Sequence, residues 1–65
     1  MSAYFVMVTD FEGRFTRFIP AATEQKASTE VAQWRQAKLQ ADTILDWQLA
    51  RFVKAVENAG FQVIQ

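Results

Sequence analysis

The stretch that most constrains this chain is Thr23 to Gly60, because no proline or glycine interrupts it before its last residue. Apolar side chains recur along it at Val31, Trp34, Ala41, Leu45, Leu49, Phe52, Val56 and Ala59, at spacings of three, four and seven. On a wheel turning about 100° per residue, all of them fall within roughly 40° of Leu45. That is one helical face. Thr23 suits the position that caps the first amides, and Glu24 suits the positive end of the helix dipole. Gly60 suits the left-handed residue that closes a helix. Thr43 with Asp46 resembles a second capping box, but the stripe keeps phase through it. The spacing predicts one continuous helix over 23–59.

The sequence before it predicts a hairpin over 3–19. Ala3 to Thr9 and Arg14 to Ile19 are rich in strand formers. Asp10-Phe11-Glu12-Gly13 suits a type I turn closed by a left-handed glycine. The register that follows sets Asp10 opposite Arg14, Val8 opposite Thr16 and Val6 opposite Phe18. Tyr4, Val6, Val8, Thr16 and Phe18 then share one face, and Phe5, Met7, Phe15, Arg17 and Ile19 the other. Both faces are apolar, so something must cover each of them. Pro20 ends the second strand because it has no N–H to donate. Phe61 to Ile64 reads as a short third strand over 61–64. The expected fold is α+β, a single small domain over 1–65. Its order is β-β-α-β: an antiparallel hairpin and a short C-terminal strand packed on one long amphipathic helix.

Lengths make this arrangement incomplete. A helix of about 35 residues spans roughly 50 Å, whereas a six-residue strand spans about 20 Å. Each large apolar side chain left in water forfeits roughly 1.5–3 kcal/mol. Either the helix folds back or a second chain covers the overhang. The reading preferred from sequence is a homodimer whose interface contains Leu45, Leu49, Phe52 and Val56.

Composition narrows the chemistry. A chain of 65 residues buries only about 60% of its unfolded surface and is marginal alone. It has no cysteine and no histidine, so disulfides and zinc-type ligation are not at hand. Seven basic and seven acidic residues cancel, and the chain lacks the field that drives non-specific binding to nucleic acid or anionic lipid. No segment approaches the roughly 20 apolar residues of a membrane span, and the N-terminus lacks the charged start of a signal peptide. A cytoplasmic location is expected, with no cofactor and no membrane partner.

The candidate sites are few. Asp42 and Asp46 would share a helix face and form a carboxylate pair, but no third ligand or histidine supports catalysis or metal binding. No glycine-rich phosphate loop is present, and the serines lack a base to activate them. No enzymatic activity is expected, and neither catalytic nor metal-binding residues are assigned. Trp47 and Leu39 lie off the apolar stripe and Phe11 sits at the hairpin tip. These three are the expected contacts to an unidentified protein partner. Arg14, Phe15 and Arg17 interleave cations with an aromatic ring, and give the alternative of a nucleic-acid-binding regulator. Lys38, near the middle of the stripe, reads as a snorkelling side chain.

The run Phe18-Ile19-Pro20-Ala21-Ala22-Thr23-Glu24-Gln25-Lys26-Ala27, then Trp34, then Ala59-Gly60-Phe61-Gln62-Val63, resembles small hairpin–helix–strand modules in outline. Some phage-encoded inhibitors of host enzymes have this outline. It carries no residue roles. The function expected from the sequence is a non-enzymatic interaction module, a small homodimeric inhibitor or regulator of a larger protein. A subunit of a larger assembly is a further alternative.

Overall fold

A computed structural model describes residues 2–64. Over these residues the chain forms a small α+β domain with four strands and two helices. In order these are β1 (Tyr4–Asp10), β2 (Phe15–Ala21), α1 (Glu24–Gln36), β3 (Gln40–Leu45), a 3-10 turn (Asp46–Gln48), α2 (Leu49–Asn58) and β4 (Gln62–Ile64). The sheet order is β3-β1-β2-β4. β1 runs antiparallel to both β2 and β3, and β4 runs parallel to β2.

The continuous helix over 23–59 is therefore corrected. It stops after Gln36, and residues 40–45 are a strand. The start is as expected: Thr23 Oγ1 accepts from the Lys26 N–H at 3.1 Å. The stop is made by Lys38, which adopts a left-handed conformation with φ 68. The Lys38 N–H donates to Arg35 O at 3.0 Å and the Leu39 N–H to Trp34 O at 3.2 Å. This pair of bonds is a Schellman cap. α2 ends in the same way at Gly60, with φ 89. There the Gly60 N–H donates to Glu57 O at 3.0 Å and the Phe61 N–H to Val56 O at 2.9 Å. One cap uses glycine, which the sequence advertises, and the other uses lysine, which it hides.

The hairpin register is corrected by one residue. The loop takes four residues, Phe11 to Arg14, and Asp10 pairs with Phe15, Val8 with Arg17 and Val6 with Ile19. The expected end of the second strand at Pro20 is corrected too: β2 runs on to Ala21, with Pro20 opposite Phe5, because a proline is tolerated in a strand where its missing N–H faces away from the paired neighbour. Asp10 Oδ1 accepts from the N–H groups of Glu12 (2.9 Å) and Gly13 (3.0 Å), which folds the loop's first turn. Arg14 rather than Gly13 takes the left-handed conformation, with φ 56. Gly13 is needed for space instead, since a Cβ there would come within 2.7 Å of the Phe15 ring. A shift of one residue moves every β2 side chain to the other face.

On one face, Val6, Val8, Ala21 and Ala41 are buried against Ala27 and Val31 of α1, with Tyr4, Ile19, Trp34 and Leu39 packed around them. Phe5, Met7, Thr9, Thr16, Phe18 and Ile44 point to the other face. β2, β3 and β4 all run in one direction. The link from β2 to β3 crosses the sheet one way and the link from β3 to β4 crosses back. Right-handed crossovers of opposite sense lie on opposite faces, so α2 covers the face that α1 leaves. Burial agrees: Thr9, Thr16 and Ile44 on that second face are all shielded from solvent, in a molecule whose Cα atoms span 30 × 27 × 14 Å. The two apolar hairpin faces are thus each covered within one chain, and the overhang that called for a second copy does not arise.

The two sides are unequal. Under α2, Thr16 is 0% exposed, Thr9 7% and Ile44 4%, yet no residue of α2 itself is fully buried. The hydroxyls of Thr9 and Thr16 lie 3.3 Å apart and satisfy each other, which removes the cost of burying them unpaired.

Candidate functional site

β1 and β3 pair Tyr4 with Leu45 at one end of the sheet, and the Asp46 N–H donates to Ala3 O at 3.0 Å just beyond. The ladder therefore holds the chain in place up to the 3-10 turn. That turn is short, and its Trp47 is 64% exposed beside Leu45 at 38%. The Gln48 side chain reaches back to accept from the Leu45 N–H at 2.9 Å. This is half of a capping box, and it fixes the turn against β3. Next to Leu45 lies an open cleft of about 500 Å³ whose lining includes Tyr4, Glu24, Ser28, Thr43 and Gln48. The result is an indole presented to solvent from a hydrogen-bonded turn, beside an apolar neighbour and a polar-rimmed cleft with one carboxylate.

The opposite end of the sheet brings together Phe11 and Leu39. They line a wider cleft of about 880 Å³ with Asp10, Glu12, Lys38 and Asp42. Leu39 packs against the core rather than standing free. Phe11 is 61% exposed, but its ring meets Phe61 edge-on at 5.4 Å. The three expected partner contacts are thus split: Trp47 at one end, Phe11 and Leu39 at the other, separated by β3. Of the four expected interface residues, Leu49, Phe52 and Val56 lie half-buried on α2, and Leu45 lies on the edge strand beside Trp47.

The cations of the hairpin divide as well. Arg14 Nη2 donates to Ala59 O at 3.0 Å, and its guanidinium lies 5.0 Å from the Phe61 ring centroid. Its carbonyl accepts from the Gln62 N–H at 2.9 Å. Arg14 therefore ties the hairpin loop to the end of α2 and the start of β4. Arg17 is exposed on the α1 face, 5.8 Å from the Phe15 ring centroid. The two arginines do not form one basic surface.

Asp42 and Asp46 do not share a helix face. Asp42 pairs with Arg35 at 3.0 Å, both side chains being largely exposed; an ion pair of this kind contributes little to stability. Among the described residues no cluster of acidic side chains could hold a metal ion, and no helix is long and apolar enough to cross a membrane. Tyr4 and Gln48 are the residues of the Trp47 end that sequence reasoning passes over. No signal marks Gln48 while 46–48 is read as the middle of a helix.

No protein-family model matches this chain, and no curated protein and no solved structure matches it either.

Proposed function

We propose that this chain is a non-enzymatic protein-binding module, a small inhibitor or regulator of a larger protein. It engages its partner through the sheet end that carries Trp47 and Leu45. The observation that carries the reading is the indole 64% exposed on a turn held by backbone and side-chain hydrogen bonds. Tryptophan is the residue most enriched among side chains that dominate binding energy, and a pre-ordered anchor loses little entropy on docking. A chain that folds its own apolar stripe inward has no need of a second copy to cover it, so the partner is taken to be a different protein. Arg14 is engaged within the fold, which favours this reading over nucleic-acid binding.

The test is affinity capture with the wild-type chain and with Trp47→Ala, followed by titration of the captured protein. The expected outcome is one stoichiometric protein whose affinity for Trp47→Ala falls at least tenfold, with unchanged circular dichroism. Equal affinity for both chains, or salt-sensitive recovery of nucleic acid in place of protein, rejects the proposal.

A further inference from the structure

β3 is the long edge of the sheet, and an edge of six residues is a template for another strand. The backbone groups it would offer can be counted. The Asp46 N–H bonds to Ala3 O across the ladder. In an antiparallel pair, residues alternate between bonding to the neighbour and facing away. Gln40, Asp42 and Ile44 therefore turn toward β1, while Ala41, Thr43 and Leu45 turn outward. Two of these three are already occupied by side chains. Arg35 Nε donates to Ala41 O at 3.0 Å, steadied by the Arg35–Asp42 pair at 3.0 Å. Gln48 Oε1 accepts from the Leu45 N–H at 2.9 Å. Only Thr43, in the middle, presents an outward N–H and C=O with no side chain on either. The other edge is short: β4 has three residues, and beyond it β2 carries Pro20, which has no N–H to offer.

We infer that Arg35 and Gln48 are plugs that keep β3 from accepting a second strand, and that the strand which would otherwise dock is β3 of another copy. A second copy is the natural occupant because the pairing is self-complementary. Two β3 strands meeting antiparallel about Thr43 place the same outward groups opposite one another. The plugs hold the sheet at four strands and leave the neighbouring Trp47 to a different partner.

The test compares wild type with Arg35→Ala/Gln48→Ala by light scattering over a concentration series. Wild type is expected to keep the monomer mass throughout. The double variant is expected to approach twice that mass at the top of the series. Thr43→Cys serves as a reporter, since residues opposite one another in a hydrogen-bonded pair sit about 5.5 Å apart at Cα, within disulfide reach. Under oxidation it should cross-link in the double variant and not in the wild-type background. Adding Thr43→Lys to the double variant should restore the monomer. If the double variant does not fold, Gln48→Ala alone, which leaves the Arg35–Asp42 pair in place, should give a weaker mass shift of the same kind. A folded double variant that stays monomeric overturns the inference. So does association that survives Thr43→Lys, wild-type cross-linking through residue 43, or an unchanged mass for a folded Gln48→Ala where the double variant fails.

Discussion

Among the described residues two, Arg14 and Lys38, hold left-handed backbone conformations without being glycine, and each does so at a junction that sets the fold. A left-handed conformation costs an L-residue on the order of 1 kcal/mol, so each position must return something. Arg14 returns a tie between three segments: its side chain to Ala59 O, its ring contact with Phe61, and its carbonyl to Gln62. Lys38 returns only the cap, because its left-handed backbone sets the Schellman bonds and its side chain is exposed. The two should respond oppositely to substitution. Lys38→Gly keeps both cap bonds and relieves the strain, and is expected to stabilise the chain by about 0.5–1 kcal/mol. Arg14→Gly relieves the same strain but loses a charge-assisted hydrogen bond and a cation–π contact, together worth about 1–2 kcal/mol, and is expected to destabilise. Urea denaturation of the two variants checks the contrast. Destabilisation by Lys38→Gly would mean that the lysine side chain contributes more than its exposure suggests.

At the level of elements, the correct sequence expectations and the mistaken ones have physical reasons. Thr23 and Gly60 were legible because each carries chemistry specific to its place, a hydroxyl for the cap and a residue tolerant of positive φ. Both hairpin strands and β4 were legible from their strand formers. β3 was not, because positions four apart share a face in a helix and in a strand alike. Ala41 and Leu45 continue the helical stripe of α1, yet they also lie on one face of β3, with Ile44 on the other. The only residue that could have broken the tie is the one at the stop, and it is lysine rather than glycine. The one-residue error in the hairpin register has the same origin, since Gly13 drew the left-handed assignment that belongs to Arg14. Of the candidate site, Trp47 and Leu45 were legible as apolar residues, but their adjacency on a hydrogen-bonded turn was not. Hydrogen exchange tests the strand directly. The amides of Asp42 and Ile44 bond to β1 and are expected to be slow, while that of Thr43 between them faces outward and is expected to be fast. A helix across 40–45 would protect all three alike.

For the whole molecule, the inequality of the two faces decides how it comes apart. The side under α1 holds the cluster of Val6, Val8, Ala21, Ala27, Val31 and Ala41, all at 7% exposure or less. On the other side α2 buries none of its residues fully. It is held by half-buried Leu49, Phe52, Val53 and Val56, by the Gln48 clasp at its start and by the Arg14 tie at its end. Buried apolar area is what raises a segment's opening free energy toward the global value. The α2 layer with β4 is therefore expected to open below the global transition, leaving β1, β2, β3 and α1 paired. Native-state hydrogen exchange across a urea series reads this as two isotherms, a lower one for the amides of α2 and a higher one for those of β1 and α1. A single isotherm for both helices would show that the thin second layer is as cooperative as the first. The weak layer begins at the turn that presents Trp47, which links the prediction to the proposed function. A protein that docks on Trp47 holds the start of α2, and anything that binds only the closed form stabilises it by mass action. Saturating partner should then raise the lower isotherm toward the upper one. Trp47→Ala, which removes an exposed side chain and should change global stability by no more than about 0.5 kcal/mol, should abolish that rise while leaving both isotherms of the free protein where they were.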